Sequence, residues 1–430
     1  AANTEQLNGY KDDHAIMSYL GRARYDFAGK YFIEATARWD GSSRFAKDYR
    51  WGFFPTVGAG WLVSDEGFMQ PIKQVSLLKL RGSYGRVGNE KLLSLFPYVS
   101  SFSSGEPALD FTYDELGQAG LFLNQLGNEK IKWETQANWN IGLDFGLWRN
   151  RLSGSVDYFN KSSIDLLFSR PLVLSGGIPF IDDNIGDVQN RGIELSLNGT
   201  ILQKKNLTWE MGANATWVKN TLKKLPQEKL LNSPYQQQVG KSIFEFFMPE
   251  WAGVDPTDGK GMWYADELDG SGNPTGKRIT TKSYSQATRY YQGSAIPKVS
   301  GGWNTRLQFM QFDLSLLVNF ALGGKYYDGN YGSLVSAISS SPGNQLHADL
   351  LSRWQKPGDI TNIPRLDINN TDYGQTSTRF LFNGDYARLR NITLGYNYKA
   401  TGKAAQAIEG FRVFVQADNL FTLSGLKTGA

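Results

Sequence analysis

The chain has 430 residues, with 45 Lys and Arg against 41 Asp and Glu, 13% aromatic residues and no cysteine. A net charge of +4 is too balanced for a nucleic-acid footprint, and the lack of Cys removes disulfide frameworks, thiolate metal sites and cysteine nucleophiles together. With 20% charged residues and no run of about eighteen apolar positions, helical membrane spans are excluded.

The pattern that remains is two-residue alternation in stretches of about ten residues, the length of a membrane-spanning strand. Tyr19, Gly21, Ala23, Tyr25 and Phe27 form one face, with Arg22, Arg24 and Asp26 between them. After a turn at residues 28–30, Tyr31, Ile33, Ala35, Ala37 and Trp39 oppose Glu34, Thr36, Arg38 and Asp40. One face suits lipid and the other water. Further strands are predicted at 52–63, 78–87, 136–148, 151–160, 191–201, 208–219, 243–253, 261–265, 298–309, 312–321, 386–398 and 411–421. This gives about fourteen strands, more than one β-sandwich core holds. The aromatic share fits girdles at both membrane boundaries. The expected fold is all-β, a transmembrane antiparallel β-barrel, with residues 1–430 forming part of it.

Connection lengths alternate as well. Residues 28–30, 149–150, 204–206 and 310–311 make short turns, whereas 89–132, 169–190 and 322–384 are long. Bacterial barrels keep short turns periplasmic and long loops extracellular, so the first strand runs inward and the last outward. Leu426-Lys427-Thr428-Gly429-Ala430 is no amphipathic strand, and a closing strand is expected beyond it. In a barrel of ~22 strands, the count for plugged transporters, these would be strands eight to twenty-one. Ala1-Ala2-Asn3-Thr4-Glu5 lacks the basic and apolar regions of a signal peptide, so the signal has been removed or the chain begins internally.

Specific stretches go beyond pattern. Tyr25-Asp26-Phe27, Lys30-Tyr31-Phe32, the run Ala37-Arg38-Trp39-Asp40-Gly41-Ser42-Ser43-Arg44-Phe45, Trp51-Gly52-Phe53-Phe54-Pro55, Leu80-Arg81-Gly82-Ser83-Tyr84-Gly85, Lys132-Trp133-Glu134, Val156-Asp157-Tyr158-Phe159, Asn190-Arg191-Gly192-Ile193-Glu194 and Gln416-Ala417-Asp418-Asn419-Leu420-Phe421 resemble the SusC/RagA family of TonB-dependent outer-membrane transporters. The resemblance covers nearly the whole chain. It implies a Gram-negative outer-membrane location and active import of a large nutrient, a glycan or oligopeptide. It also implies a SusD-like lipoprotein lid, energy from TonB through a plug domain with no counterpart in this sequence, and barrels paired as a dimer of heterodimers. No cofactor is implied.

Loops on a rigid scaffold carry specificity, so contacts to cargo and lid are expected in 89–132, 169–190 and 322–384. Aromatics outside the strands, Tyr290, Tyr291, Tyr326, Tyr327 and Trp354, can stack on sugar rings or peptide side chains; the competing reading makes them girdle residues or loop anchors. Arg22, Arg24, Arg38 and Arg81 fall on the water face, where they form a basic ladder or pair with Asp26, Glu34 and Asp40.

Other motifs point to no chemistry. The segment 270–276 lacks the Gly-Lys-Ser/Thr ending of a phosphate loop, and Asp182-Asp183-Asn184 and Asp255-Pro256-Thr257-Asp258-Gly259 read as turns in place of Ca²⁺ sites. His14 and His347 sit in no nucleophile constellation and no Gly-x-Ser-x-Gly elbow exists, so no enzyme is expected. The rival reading is a self-closed passive pore or structural barrel.

Overall fold

The computed structural model describes residues 13–91, 95–104, 121–173, 177–336, 345–367, 370, 372–400 and 408–425. Among the described residues, twelve long strands form one antiparallel sheet. They are β1 (Ile16–Phe27), β2 (Tyr31–Ser42), β3 (Trp51–Leu62), β4 (Val75–Asn89), β5 (Glu134–Leu147), β6 (Leu152–Ile164), β7 (Asp187–Lys204), β8 (Leu207–Lys224), β9 (Val299–Phe309), β10 (Phe312–Leu322), β11 (Tyr386–Lys399) and β12 (Gly410–Ser424). Each neighbours the next in chain order. No helix among these residues is long and apolar enough to cross a membrane.

Two of the expected membrane strands are not in this sheet. Segments 243–253 and 261–265 fall in small separate sheets within the β8–β9 connection, so the count of about fourteen becomes twelve in the wall. Their alternation is real but points into a protein core: Phe246, Met248 and Trp263 are at most 1% exposed. Removing two strands leaves the direction of every other strand unchanged.

The chain divides into two compact units, one mainly of residues 1–149 and 156–191, the other mainly of 192–221 and 229–430. In the first, pairing fixes which side chains share a face. Phe27 lies opposite Tyr31, Tyr31 opposite Trp61 and Trp61 opposite Leu80, while Tyr19, Trp39 and Phe53 form a second row toward the other strand ends. Between the two rows lie Gly21, Ala23, Ala35, Ala37, Pro55 and Val57. Large aromatics thus flank a band of small residues, with Tyr19 and Trp39 more than half exposed, as expected of rings that meet lipid at two interfaces. Pro55, which has no N–H to give, sits where β3 is bonded to β2 but not yet to β4.

The second unit repeats the plan. Phe309, Phe312, Tyr396 and Val413 form one row along β9 to β12. Pairing slips at Leu389/Asn391, where Asn419 and Leu420 of β12 stand against the single Arg390 of β11. Asn419 beside it has φ 54°, its amide oxygen accepting from Arg390 at 2.8 Å. The Asp-Asn-Leu-Phe stretch is therefore the sequence of a bulge, with Asn supplying the left-handed residue.

Candidate functional site

Connections at one end, residues 28–30, 63–74, 148–151, 205–206, 310–311 and 400–409, run from 2 to 12 residues, whereas those at the other, 43–50, 90–133, 165–186, 225–298 and 323–385, run from 8 to 74. The longer set marks the extracellular end. Of the loops expected to carry function, residues 92–94, 105–120, 174–176, 337–344, 368, 369 and 371 lie outside the described residues.

The two longest loops, both in the second unit, fold into one body. The first contributes a four-stranded sheet (Lys229–Asn232, Tyr235–Gln238, Glu245–Pro249 and Arg289–Ser294) and a three-stranded one (Trp251–Val254, Gly261–Leu268 and Pro274–Thr281). The second adds a hairpin (Lys325–Tyr327 with Leu381–Asn383) and the helix Gly329–Val335, which Asp328 caps by accepting the Tyr331 N–H at 2.8 Å. Their shared core is aromatic. Trp263 meets Trp251 edge-on at 5.3 Å and Tyr284 at 5.7 Å, and stacks on Tyr373 at 6.4 Å.

Polar groups lock the loops together. The Trp251 indole donates to Asn362 at 2.7 Å and its amide to Thr378 at 2.9 Å, while the Tyr284 hydroxyl donates to the Thr376 carbonyl at 2.9 Å. Arg379 is only 7% exposed; it donates to the Tyr373 carbonyl at 2.9 Å and packs over Trp251 and Phe380. Burial lowers its pKa to about 10, still a cation at neutral pH. Burial, helped by the Asp349 carboxylate that accepts its hydroxyl at 2.7 Å, pushes Tyr331 up to about 12.

The expected contact aromatics all lie in this body, in different roles. Tyr290 donates to Asp266 at 2.7 Å under the Arg278 guanidinium. The Tyr291 hydroxyl meets Gln236 at 2.9 Å and Gln238, with Lys241 over its ring. Tyr327 packs edge-on against Phe380, and Trp354 donates to the Pro256 carbonyl at 3.1 Å. Tyr326 is 47% exposed. Trp251, Trp263, Tyr373 and Arg379 were not among the expected residues; the signal that marks them is the five-residue length of 261–265, too short to span a membrane.

The arginines lie on the polar face of the first unit. Arg22 binds Glu34 at 2.8 Å, Arg38 binds Asp40 at 2.6 Å, and Arg81 binds Asp144 at 3.1 Å and Asp157 at 2.6 Å. Arg24 lies directly opposite Glu34, and Asp26 caps the adjacent turn by accepting the Gly29 N–H at 3.0 Å. Arg24, Lys79 and Arg81 border a groove of about 420 Å³.

Among the described residues no group of three or more His, Asp or Glu is arranged to hold a metal. Lys282 occupies the acidic turn, its ammonium 2.6 Å from Asp255 and 3.0 Å from Asp258, and together with Thr257 it holds Asp255 well below the usual carboxylate range. Asp183 faces Arg170 at 3.4 Å, and Asp182 accepts from Ser169 at 2.6 Å. His14 is paired with Glu90 at 2.9 Å, and His347 accepts the Asp349 N–H at 3.2 Å.

Comparison with known proteins gives the same architecture. The family described as TonB dependent receptor-like, beta-barrel matches residues 2–420. TonB-dependent receptor P3 of Formosa agariphila is 30% identical over 98% of this chain and 42% of its own length. TonB-dependent receptor SusC of Bacteroides thetaiotaomicron is 28% identical over 99% of this chain and 42% of its own. The structure of the RagAB peptide transporter superposes with a TM-score of 0.81 at 28% identity, covering 97% of this chain and 45% of that one. The chain thus spans less than half the length of the relatives it matches. With the strand pattern, the girdles and the family match in agreement, this chain belongs to the TonB-dependent receptor β-barrel family, is of the SusC/RagA type, and resides in the outer membrane.

Proposed function

We propose that the chain supplies wall and extracellular head to an active importer of a large nutrient, a glycan or an oligopeptide. A SusD-like surface lipoprotein closes it from outside, and TonB drives it through a plug domain. The observation that carries this reading is the head: two loops share a buried core around Trp263 and Arg379. A diffusion pore needs no such ordered body, whereas cargo selection needs a rigid platform for contacts. Similarity to the RagAB peptide transporter supports cargo of peptide size.

In this reading Tyr290, Tyr291, Tyr327 and Trp354 set the shape of the platform, and the exposed ring of Tyr326 meets cargo. Arg22, Arg24, Arg38 and Arg81 keep the lumen wall charged and wet. The test is mild-detergent purification from outer membranes, with intact mass and identification of co-purifying proteins. A chain far heavier than 48.0 kDa with a surface lipoprotein supports the lidded importer. A solitary 48.0 kDa species that conducts ions in a bilayer makes it a self-closed passive pore.

A further inference from the structure

The β3–β4 connection, residues 63–74, contains the carboxylate of Glu66. Its Oε1 accepts from the Tyr31 hydroxyl at 2.6 Å and from the Trp61 indole at 3.1 Å, and its Oε2 accepts from the Lys30 ammonium at 3.4 Å. Tyr31 and Trp61 are cross-strand partners, stacked at 6.4 Å, in the apolar row of the wall. A side chain that reaches both polar tips lies on the lipid side of that wall.

The residues that follow Glu66 are mostly apolar and exposed. The next residues form the turn Gly67–Met69, where Phe68 is 62% exposed, followed by Pro71 and by Ile72 at 44%. At the far end the Trp148 amide donates to the Gln74 carbonyl at 2.7 Å, and the Trp148 ring is 56% exposed. Exposed apolar side chains thereby adjoin the girdle pair Tyr31 and Trp61 at one end and the exposed Trp148 at the other.

We infer that this turn is a membrane foot: Phe68 and Ile72 enter the glycerophospholipid leaflet on the short-turn side, and Glu66 clamps the segment against the girdle. Continuity with the girdle argues for lipid as the occupant. Aromatic and aliphatic groups at head-group depth are favoured there, as in interfacial helices, and Lys73, exposed beside Ile72, is placed for lipid phosphates. The inference rests on the outer-membrane location alone, so it stands or falls apart from the identity of the cargo.

The absence of Cys in this chain makes site-directed spin labelling direct. In the full-length protein, freed of any other cysteine and reconstituted in phosphatidylethanolamine and phosphatidylglycerol vesicles, nitroxides are placed by Phe68→Cys, by Leu80→Cys as a lipid-facing reference and by Thr275→Cys as an aqueous one. The expected result is oxygen accessibility at Phe68 matching Leu80, with loss of the nickel-chelate broadening seen at Thr275. Free access of the nickel chelate would overturn the inference by placing the turn in water. Shelter from both quenchers would overturn it equally, by placing a protein surface over the turn. Repeating the measurement with Glu66→Gln is expected to raise nickel access at Phe68, as the clamp weakens while the strands persist.

Discussion

Arg81 on β4 binds Asp157 on β6 at 2.6 Å by reaching over the intervening strand, where the residue crossed is Gly142. A Cβ at Gly142 would come within 2.4 Å of Asp157 Oδ1 and 2.7 Å of Arg81 Cζ. The second unit uses the same device: Asp313 on β10 binds Arg412 on β12 at 2.6 Å across Gly395. Gly142→Ala and Gly395→Ala should each push the ion pair apart and destabilise the wall by up to about 1 kcal/mol. Heat-modifiability on gels reads this as a lower transition temperature. Gly21→Ala, with nothing within 4 Å of its Cβ, should leave the transition where it is.

The Trp354 indole lies against Gly259, whose φ of +72° and lack of a Cβ admit the ring at 2.4 Å from where that atom would be. Trp354→Ala should loosen the head by about 2–3 kcal/mol, at or below the low end for a large aromatic because the ring is only partly buried. Hydrogen exchange tests this: the Gly358 and Arg365 amides, bonded to Pro256 and Gly259 carbonyls of the other loop, should lose protection while amides of β9 and β10 keep theirs.

Tyr331 predicts an alkaline response. Its folded pKa of about 12 is raised above the ordinary value of 10.0, so the stabilisation is fully present below pH 10 and is lost as pH rises toward 12. Difference absorbance of tyrosinate, wild type minus Tyr331→Phe, should show one phenol titrating last. Titration of that phenol near pH 10 would contradict the burial of Tyr331 against Asp349.

Asn419 holds φ 54° in the bulge of β12. Asn419→Val should cost about 1–2 kcal/mol, since a β-branched residue fits the left-handed region poorly, whereas Asn419→Gly should be tolerated. Gel heat-modifiability separates the two.

The wall was legible in the sequence because lipid and water impose a strict period of two: Tyr25 opposite Ile33 and Ala35 opposite Val57 follow from alternation and turn length alone. The head was not. A small sheet packed in a loop also alternates, so Phe246 and Met248 mimic lipid-facing positions; only the shortness of 261–265 sets it apart. Arg379 reads locally as a polar loop residue. Its burial depends on Trp251 from the other loop, and a contact made across so much intervening chain leaves no periodic trace.

The interlocked loops set a rule for exchange between relatives. Residues 225–298 moved alone into another receptor would arrive with Trp251 facing no Asn362 or Thr378, and residues 323–385 alone would bring Arg379 without the indole it covers. A chimaera that transplants one loop carries half of a core and should be cleaved by protease at the graft. One that moves both together inherits a finished module, so specificity in such receptors is expected to be inherited by loop pairs.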